Sequence, residues 1–342
     1  MKAVVYGAVG EMPRVHEVPI PRCPDGGALI RVQATGVCRS DWHAWRGHDP
    51  VTLPHIPGHE FAGTIVEVGA GVRAWAPGDR VTAPFVNGCG ACEFCARGDA
   101  HVCPDQTQPG FTHAGSFAEY VVVRAADLNL VGLPDEIGFT AAAALGCRFA
   151  TAFRAVSVHG AVVAGDEVAV FGCGGVGLSA ITVAVALGAR VTAVDVSPDA
   201  LARARDLGAS EVVAGPDPVD AVVRATGGGA HVTIDALGSA ATTDAAVRSL
   251  RRRGRHVQVG LMLGAAATAS LPWDRVIAHE LTVTGSHGMP AKDYPAMIAM
   301  IVEGRLAPDR LIGAVTDLAG AAAALVAMDQ PTTSPGIVVA RP

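Results

Sequence analysis

Cys89, Cys92, Cys95 and Cys103 follow a C-x2-C-x2-C-x7-C pattern in a glycine-rich stretch. Thiolates this close can surround one tetrahedral ion, and zinc is the usual ion for an all-sulfur set. Residues 87–99 offer almost nothing apolar to bury. A closed metal site would supply the missing ordering energy, on the order of 10 kcal/mol. Four protein ligands leave no open position, so the expectation is a structural zinc that orders a lobe over residues 85–110. Two disulfides are the other use of four cysteines, but they suit short secreted scaffolds rather than a chain of 342 residues.

A second chemical signal begins at the apolar run Val168-Ala169-Val170-Phe171. Gly172, Gly174 and Gly177 follow it in a G-x-G-x-x-G pattern that opens an apolar helical stretch. A strand before the glycines and a helix after them is the context that gives this pattern meaning. Gly172 suits the tight turn, Gly174 lets backbone amides approach a pyrophosphate, and Gly177 lets helix and strand pack closely. Gly175 and Val176 complete the loop, and the helix N-terminus favours the phosphate charge. The next strand-like run, Val191-Thr192-Ala193-Val194, ends in Asp195. A carboxylate there can accept from both ribose hydroxyls and would repel a 2′-phosphate. Ser197, Pro198 and Ala200 offer no cation for that phosphate, so the expected cofactor is NAD rather than NADP.

A third set joins soft and nitrogen ligands: Cys38-x-Ser40-Asp41-x-His43, then Gly58-His59-Glu60-x-x-Gly63. With the four-cysteine segment and the glycine loop, in this order and at about this spacing, the chain resembles the zinc-dependent alcohol dehydrogenases of the medium-chain dehydrogenase/reductase superfamily. The resemblance runs over essentially the whole chain. It implies a catalytic zinc on Cys38, His59 and Cys147, the two-cysteine, one-histidine set known for alcohol dehydrogenases, with a fourth position open to water or substrate. There would then be two zinc ions per chain. It implies that Asp41 orients the His59 imidazole. Glu60 takes an outer or transient ligand role, or pairs with an arginine. Ser40 and His43 would carry the alcohol proton toward solvent. Arg39 would reach the pyrophosphate, and Thr151 and Val176 would press on the nicotinamide. Trp45, Phe85 and Phe111 are candidates for the pocket wall, where aromatics would exclude water and limit substrate width. Cys23, Cys173, His16, His159 and His256 fit no such set and read as core or surface groups.

These residues need elements to position them. Residues 1 to about 135 hold short β-branched runs broken by Gly and Pro, such as Ala28–Val32, Gly63–Val68 and Ala118–Val123, which suggests a barrel-like β domain. Beyond Asp135, apolar strand-like runs alternate with alanine-rich helical stretches, as a parallel sheet covered by helices requires. The resemblance makes this an α/β chain. It implies a GroES-like β-barrel catalytic domain over 1–147, a Rossmann doubly wound parallel sheet over 148–287, and a segment 288–342 that returns to the catalytic domain. Arg251-Arg252-Arg253, the only basic run, reads as the solvated end of a helix.

The chain is 50% hydrophobic and 17% charged with a net charge of −6, enough for two sizeable cores and against a nucleic-acid partner. Its start reads as a strand rather than a signal peptide, and its longest apolar run is too short to span a bilayer. The expectation is a cytoplasmic protein with no membrane partner. The resemblance adds a homo-oligomer, a tetramer ahead of a dimer. The expected reaction is reversible hydride transfer between NAD and a primary or secondary alcohol, giving aldehyde or ketone. A polyol or amino-alcohol dehydrogenase of the same superfamily is the alternative enzyme. A non-catalytic NAD-sensing or zinc-storage protein is the alternative from another class.

Overall fold

The computed structural model describes residues 1–330 and 336–342. The chain forms two compact units. One holds Met1–Ala150 and the described residues from Gly288 onward; the other holds Thr151–His287.

The first unit is built on short strands. Its main sheet has seven, in the order Ile312–Thr316, Ile337–Ala340, Ala28–Val37, Glu60–Val68, Arg80–Thr82 and Val131–Gly132, with Tyr120–Val123 also pairing to Ala28–Val37. The pairs are antiparallel except Ile312–Thr316 with Ile337–Ala340. Ala28–Val37 is the hub, buried at eight of its ten positions because it pairs with three other strands. Register shifts at Leu29/Ile30 and Val32/Ala34 mark bulges, which bend a strand and re-aim its side chains. Ile30, Val32, Phe61, Ile65, Val81 and Val121 fill one core of this unit.

The second unit is a six-stranded parallel sheet in the order Glu211–Ala214, Arg190–Asp195, Glu167–Phe171, Ala230–Asp235, Leu250–Gln258 and Thr282–Gly285. In chain order this is 3-2-1-4-5-6, the doubly wound arrangement whose switch point lies beside the first strand. Helices Gly175–Ala186, Pro198–Asp206 and Ala240–Arg248 connect strands of the sheet, and the first of these strands is buried at four of five positions. Apolar residues throughout such a strand are what burial on both faces demands.

One basic run is placed differently from the expectation. Arg251-Arg252-Arg253 lies within the Leu250–Gln258 strand, after the helix has ended at Arg248. Arg251 donates to the carbonyl oxygens of Gly229 (2.7 Å) and Thr226 (3.1 Å), and Arg253 pairs with Glu280 at 2.6 Å. Arg253 has a φ of +60° and the pairing with Ala230–Asp235 shifts register between Leu250 and Arg255, so these partners hold the run in a bulge of the strand, and a charge count along the chain does not show them.

Trp45 ends the helix Arg39–Trp45 and is 3% exposed. It packs in a second core of the first unit with Val4, Tyr6, Val37, Phe117 and Leu325, and its Nε1 donates to the Glu11 carbonyl oxygen at 2.6 Å. This placement favours core packing over a substrate-pocket role. Trp45→Ala should therefore cost ~3–5 kcal/mol of stability in urea unfolding. Its activity profile across alcohols of graded width should keep the wild-type shape; a broadened profile would return Trp45 to the pocket.

Candidate active site

Three separated stretches of the first unit bring Cys38, His59 and Cys147 together, with their ligand atoms all within 4.8 Å of one another. Cys38 follows the hub strand and caps the helix Arg39–Trp45. His59 stands just before the strand Glu60–Val68. Cys147 sits in a widened helical turn, Leu145–Phe149.

Asp41 ties two of these stretches. It is fully buried, and its Oδ2 accepts from the Cys38 backbone N–H at 3.0 Å. Its Oδ1 accepts from the Gly58 N–H at 3.0 Å and lies 2.9 Å from His59 Nδ1. A carboxylate on one ring nitrogen fixes the tautomer and aims the other nitrogen as a ligand. That other nitrogen, His59 Nε2, is buried without a hydrogen-bond partner. A buried polar atom without a partner is costly, and a cation at Nε2 would remove the cost. Two sulfurs and an imidazole are a donor set that zinc favours. The residues fit a zinc ion with an open position.

The hydrogen bond between Cys38 and Cys147 draws the Cys38 thiol well below its ordinary pKa and pushes Cys147 well above. Nearby Arg148 favours the thiolate at both. A cation bound there would displace the shared proton and take both sulfurs as thiolates.

Glu60 pairs with an arginine, as one of its expected roles has it, and that arginine is Arg148. The Arg148 backbone N–H donates to Glu60 Oε1 at 2.9 Å, and the Arg148 guanidinium grips the same carboxylate through Nε and Nη2. Both side chains are buried. Burial raises the Glu60 pKa, and Arg148 opposes that shift. Because Arg148 follows Cys147 directly, this pair also anchors the turn that carries the ligand. The Tyr294 hydroxyl lies 3.3 Å from the Leu145 carbonyl and 3.4 Å from that of Gly146, buttressing the turn from a distant part of the chain.

The Phe85 and Phe111 rings flank His59, with centroids 6.2 and 5.2 Å from the imidazole. Both are half-buried, as apolar walls beside a ligand would be. Ser40 lies partly exposed in the first turn after Cys38, and His43 lies half-buried one turn further on. Arg39 is exposed; it donates to the Met328 carbonyl oxygen at 2.6 Å and stacks over Trp42. Thr151 is buried in the helix Ala150–Arg154.

The four cysteines of the lobe also converge. Sγ–Sγ separations are 3.5 Å for Cys92–Cys95, 3.6 Å for Cys92–Cys103 and 4.0 Å for Cys89–Cys95. Four sulfurs at a zinc–sulfur distance of ~2.3 Å in a tetrahedron stand about 3.8 Å apart. A disulfide would need ~2 Å, and all eight cysteines are free. Backbone N–H groups of Ala91 and Cys95 point at the sulfurs of Cys89 and Cys92. The first of these is the main reason the Cys89 thiol is lowered to about 7. Asn129 ties the lobe down by accepting from Gly88 N–H and donating to its carbonyl, both at 2.9 Å.

In the second unit, Gly172 has a φ of +87° and turns the chain out of its strand. A Cβ on Gly177 would stand 1.7 Å from the Gly172 carbonyl oxygen, so the helix Gly175–Ala186 can lie against the turn only with glycine there. Before Gly174 the space is open, and the first amides of a helix have no intrahelical partners. This is a cradle for an anion. Asp195 Oδ2 accepts from Cys173 N–H at 2.7 Å and Oδ1 from Ser197 N–H at 2.8 Å, which fixes the carboxylate at the end of the second strand. Each oxygen keeps a lone pair for a further donor. The loop, the open cradle and the placed carboxylate fit an adenine dinucleotide.

Comparisons with known proteins agree with this geometry. Residues 24–135 match the alcohol dehydrogenase GroES-like domain and residues 175–303 the zinc-binding dehydrogenase domain. The chain is 36% identical to an alcohol dehydrogenase of Geobacillus stearothermophilus over 90% of both chains. It is also 36% identical to one of Rhizobium meliloti, again over 90% of each. Among solved structures, an alcohol dehydrogenase of Thermus sp. ATN1 superposes with a TM-score of 0.92 at 32% identity, over 100% of this chain and 99% of that one. Family models, relatives and the convergence of the ligands lead to one assignment: the chain belongs to the zinc-dependent alcohol dehydrogenase family of the medium-chain dehydrogenase/reductase superfamily.

Proposed function

We propose that the protein is an NAD-dependent and zinc-dependent alcohol dehydrogenase that interconverts a primary or secondary alcohol and its aldehyde or ketone. The observation that carries this reading is His59 Nε2, buried without a partner and within 4.8 Å of the ligand atoms of Cys38 and Cys147. A structural role alone would have no use for an imidazole aimed this way.

When bound, zinc supplies the Lewis acidity that makes the alkoxide accessible, and NAD supplies the hydride acceptor. Cys38, His59 and Cys147 would hold the metal, with Asp41 orienting the imidazole. Glu60 and Arg148 would fix the Cys147 turn. Ser40 would hydrogen-bond the substrate oxygen, and His43 would hold the released proton on its way to solvent; imidazole suits that task near neutral pH. Phe85 and Phe111 would exclude water and bound the substrate. Gly172, Gly174, Gly175 and Gly177 would seat the pyrophosphate with Arg39, Asp195 would take the ribose, and Thr151 and Val176 would press on the nicotinamide. The lobe cysteines would hold a second, structural zinc.

We also infer a homo-oligomer, a tetramer ahead of a dimer, located in the cytoplasm. Trp273 and Ile277, 57% and 75% exposed, support an apolar contact surface on the second unit. No described helix is long and apolar enough to cross a membrane.

Purified protein should reduce NAD with a panel of primary and secondary alcohols and turn over NADP far more slowly. Strong NADP turnover would overturn the role given to Asp195. Metal analysis should find two zinc ions per chain. Cys38→Ser should retain one and lose alcohol oxidation, whereas Cys103→Ser should lower thermal stability. Full activity in Cys38→Ser would remove the catalytic site.

A further inference from the structure

His43 lies near the end of the helix Arg39–Trp45, and the chain turns back immediately after it. Gly47, at a φ of +76°, makes that reversal, and the His48 N–H donates to the His43 carbonyl oxygen at 2.9 Å. The two imidazoles then meet, with Nδ1 to Nδ1 at 2.9 Å and ring centroids at 5.2 Å. Trp42 packs edge-on against both rings, at 5.0 and 5.3 Å. His48 is exposed, while His43 is half-buried.

A hydrogen bond between two imidazole nitrogens needs one donor and one acceptor, so the rings must take opposite roles. Protonating both would set two N–H groups head to head. The charged or titratable groups facing His43 are His48 and Asp49 from the turn, and Arg39 and Cys38 from the start of the helix. Burial, followed by His48, lowers the pKa of His43 and so favours its neutral ring.

We propose that His48 is a positioning residue for His43. Its Nδ1 accepts the His43 Nδ1–H and so leaves His43 Nε2 as the bare nitrogen that takes up the proton of alcohol oxidation. This rests on the proton-carrying role proposed for His43. The arriving proton forms the Nε2–H bond. The resulting imidazolium donates its Nδ1–H to His48, and a proton passes from the pair to water. No electrons change hands in this step.

The test uses the zinc-loaded enzyme with His43→Ala, His48→Ala, His48→Gln and the double alanine variant. Long-range nitrogen–proton spectra of the 12 histidines report tautomers directly, with His43 identified as the signal lost in His43→Ala. Wild-type His43 should be neutral with its proton on Nδ1, and His48→Ala should move that proton largely to Nε2. The kcat of alcohol oxidation should fall roughly tenfold in His48→Ala with KM for NAD nearly unchanged. His48→Gln, whose amide oxygen can still accept, should recover part of the rate. The double variant should be no slower than His43→Ala. A wild-type His43 carrying its proton on Nε2, or a His48→Ala loss of equal size without His43, would overturn the proposal. A wild-type rate in His43→Ala would remove the proton role of His43 and this inference together. A slow His43→Ala beside an unaffected His48→Ala would remove this inference alone.

Discussion

Asp41 is the constraint on which the three-ligand site depends. Its carboxylate is wholly buried, and it is compensated by two backbone N–H groups and an imidazole. A buried charge is tolerable only with such partners. Because those partners belong to Cys38, Gly58 and His59, the requirement to satisfy one side chain brings two distant stretches of chain into register. Removing it would leave several buried donors unsatisfied, each at a cost of ~1–3 kcal/mol. The same contact fixes the imidazole, so stability and ligand geometry are set by one group.

The two cysteine-containing sites reach order by different means. In the lobe, ligands lie close in sequence, and backbone amides and Asn129 hold a short loop around four sulfurs. In the candidate active site the side chains that could hold a metal come from stretches far apart, and buried carboxylates do the aligning. Asp41 serves Cys38 and His59, whereas Glu60 serves Cys147 through Arg148. A closed site tolerates exposure at its edge; an open one needs rigid walls, because its incomplete ligand set does not hold the protein together by itself.

What can be read in the sequence follows from how local each signal is. The four-cysteine spacing and the glycine loop each lie within one short stretch, and the β character of the first part and the strand–helix alternation of the second are periodic patterns. Cys38, His59 and Cys147 are legible as a group only through their resemblance to a family, since nothing in local spacing joins them. Arg148 cannot be picked out as the partner of Glu60 by any local rule because the pairing spans 88 residues, though its position beside Cys147 is a usable hint. Trp45 follows His43 by two positions, but a helix turns it about 200° away, toward the core. Arg251 to Arg253 are held in a bulge of their strand by carbonyls and a carboxylate from other elements. The His43–His48 contact depends on a reversal at Gly47, and a glycine alone does not announce which way the chain will go.

The strand Ile337–Ala340 lies against Ala28–Val37, the strand that leads into Cys38. Between these two segments the chain makes the whole of the parallel sheet. During synthesis the first unit must therefore wait, its hub strand lacking a neighbour, while about 300 further residues leave the ribosome and the second unit can already close on itself. An unpaired strand edge invites wrong partners, so the order of emergence makes the metal-binding half the one most in need of protection before release.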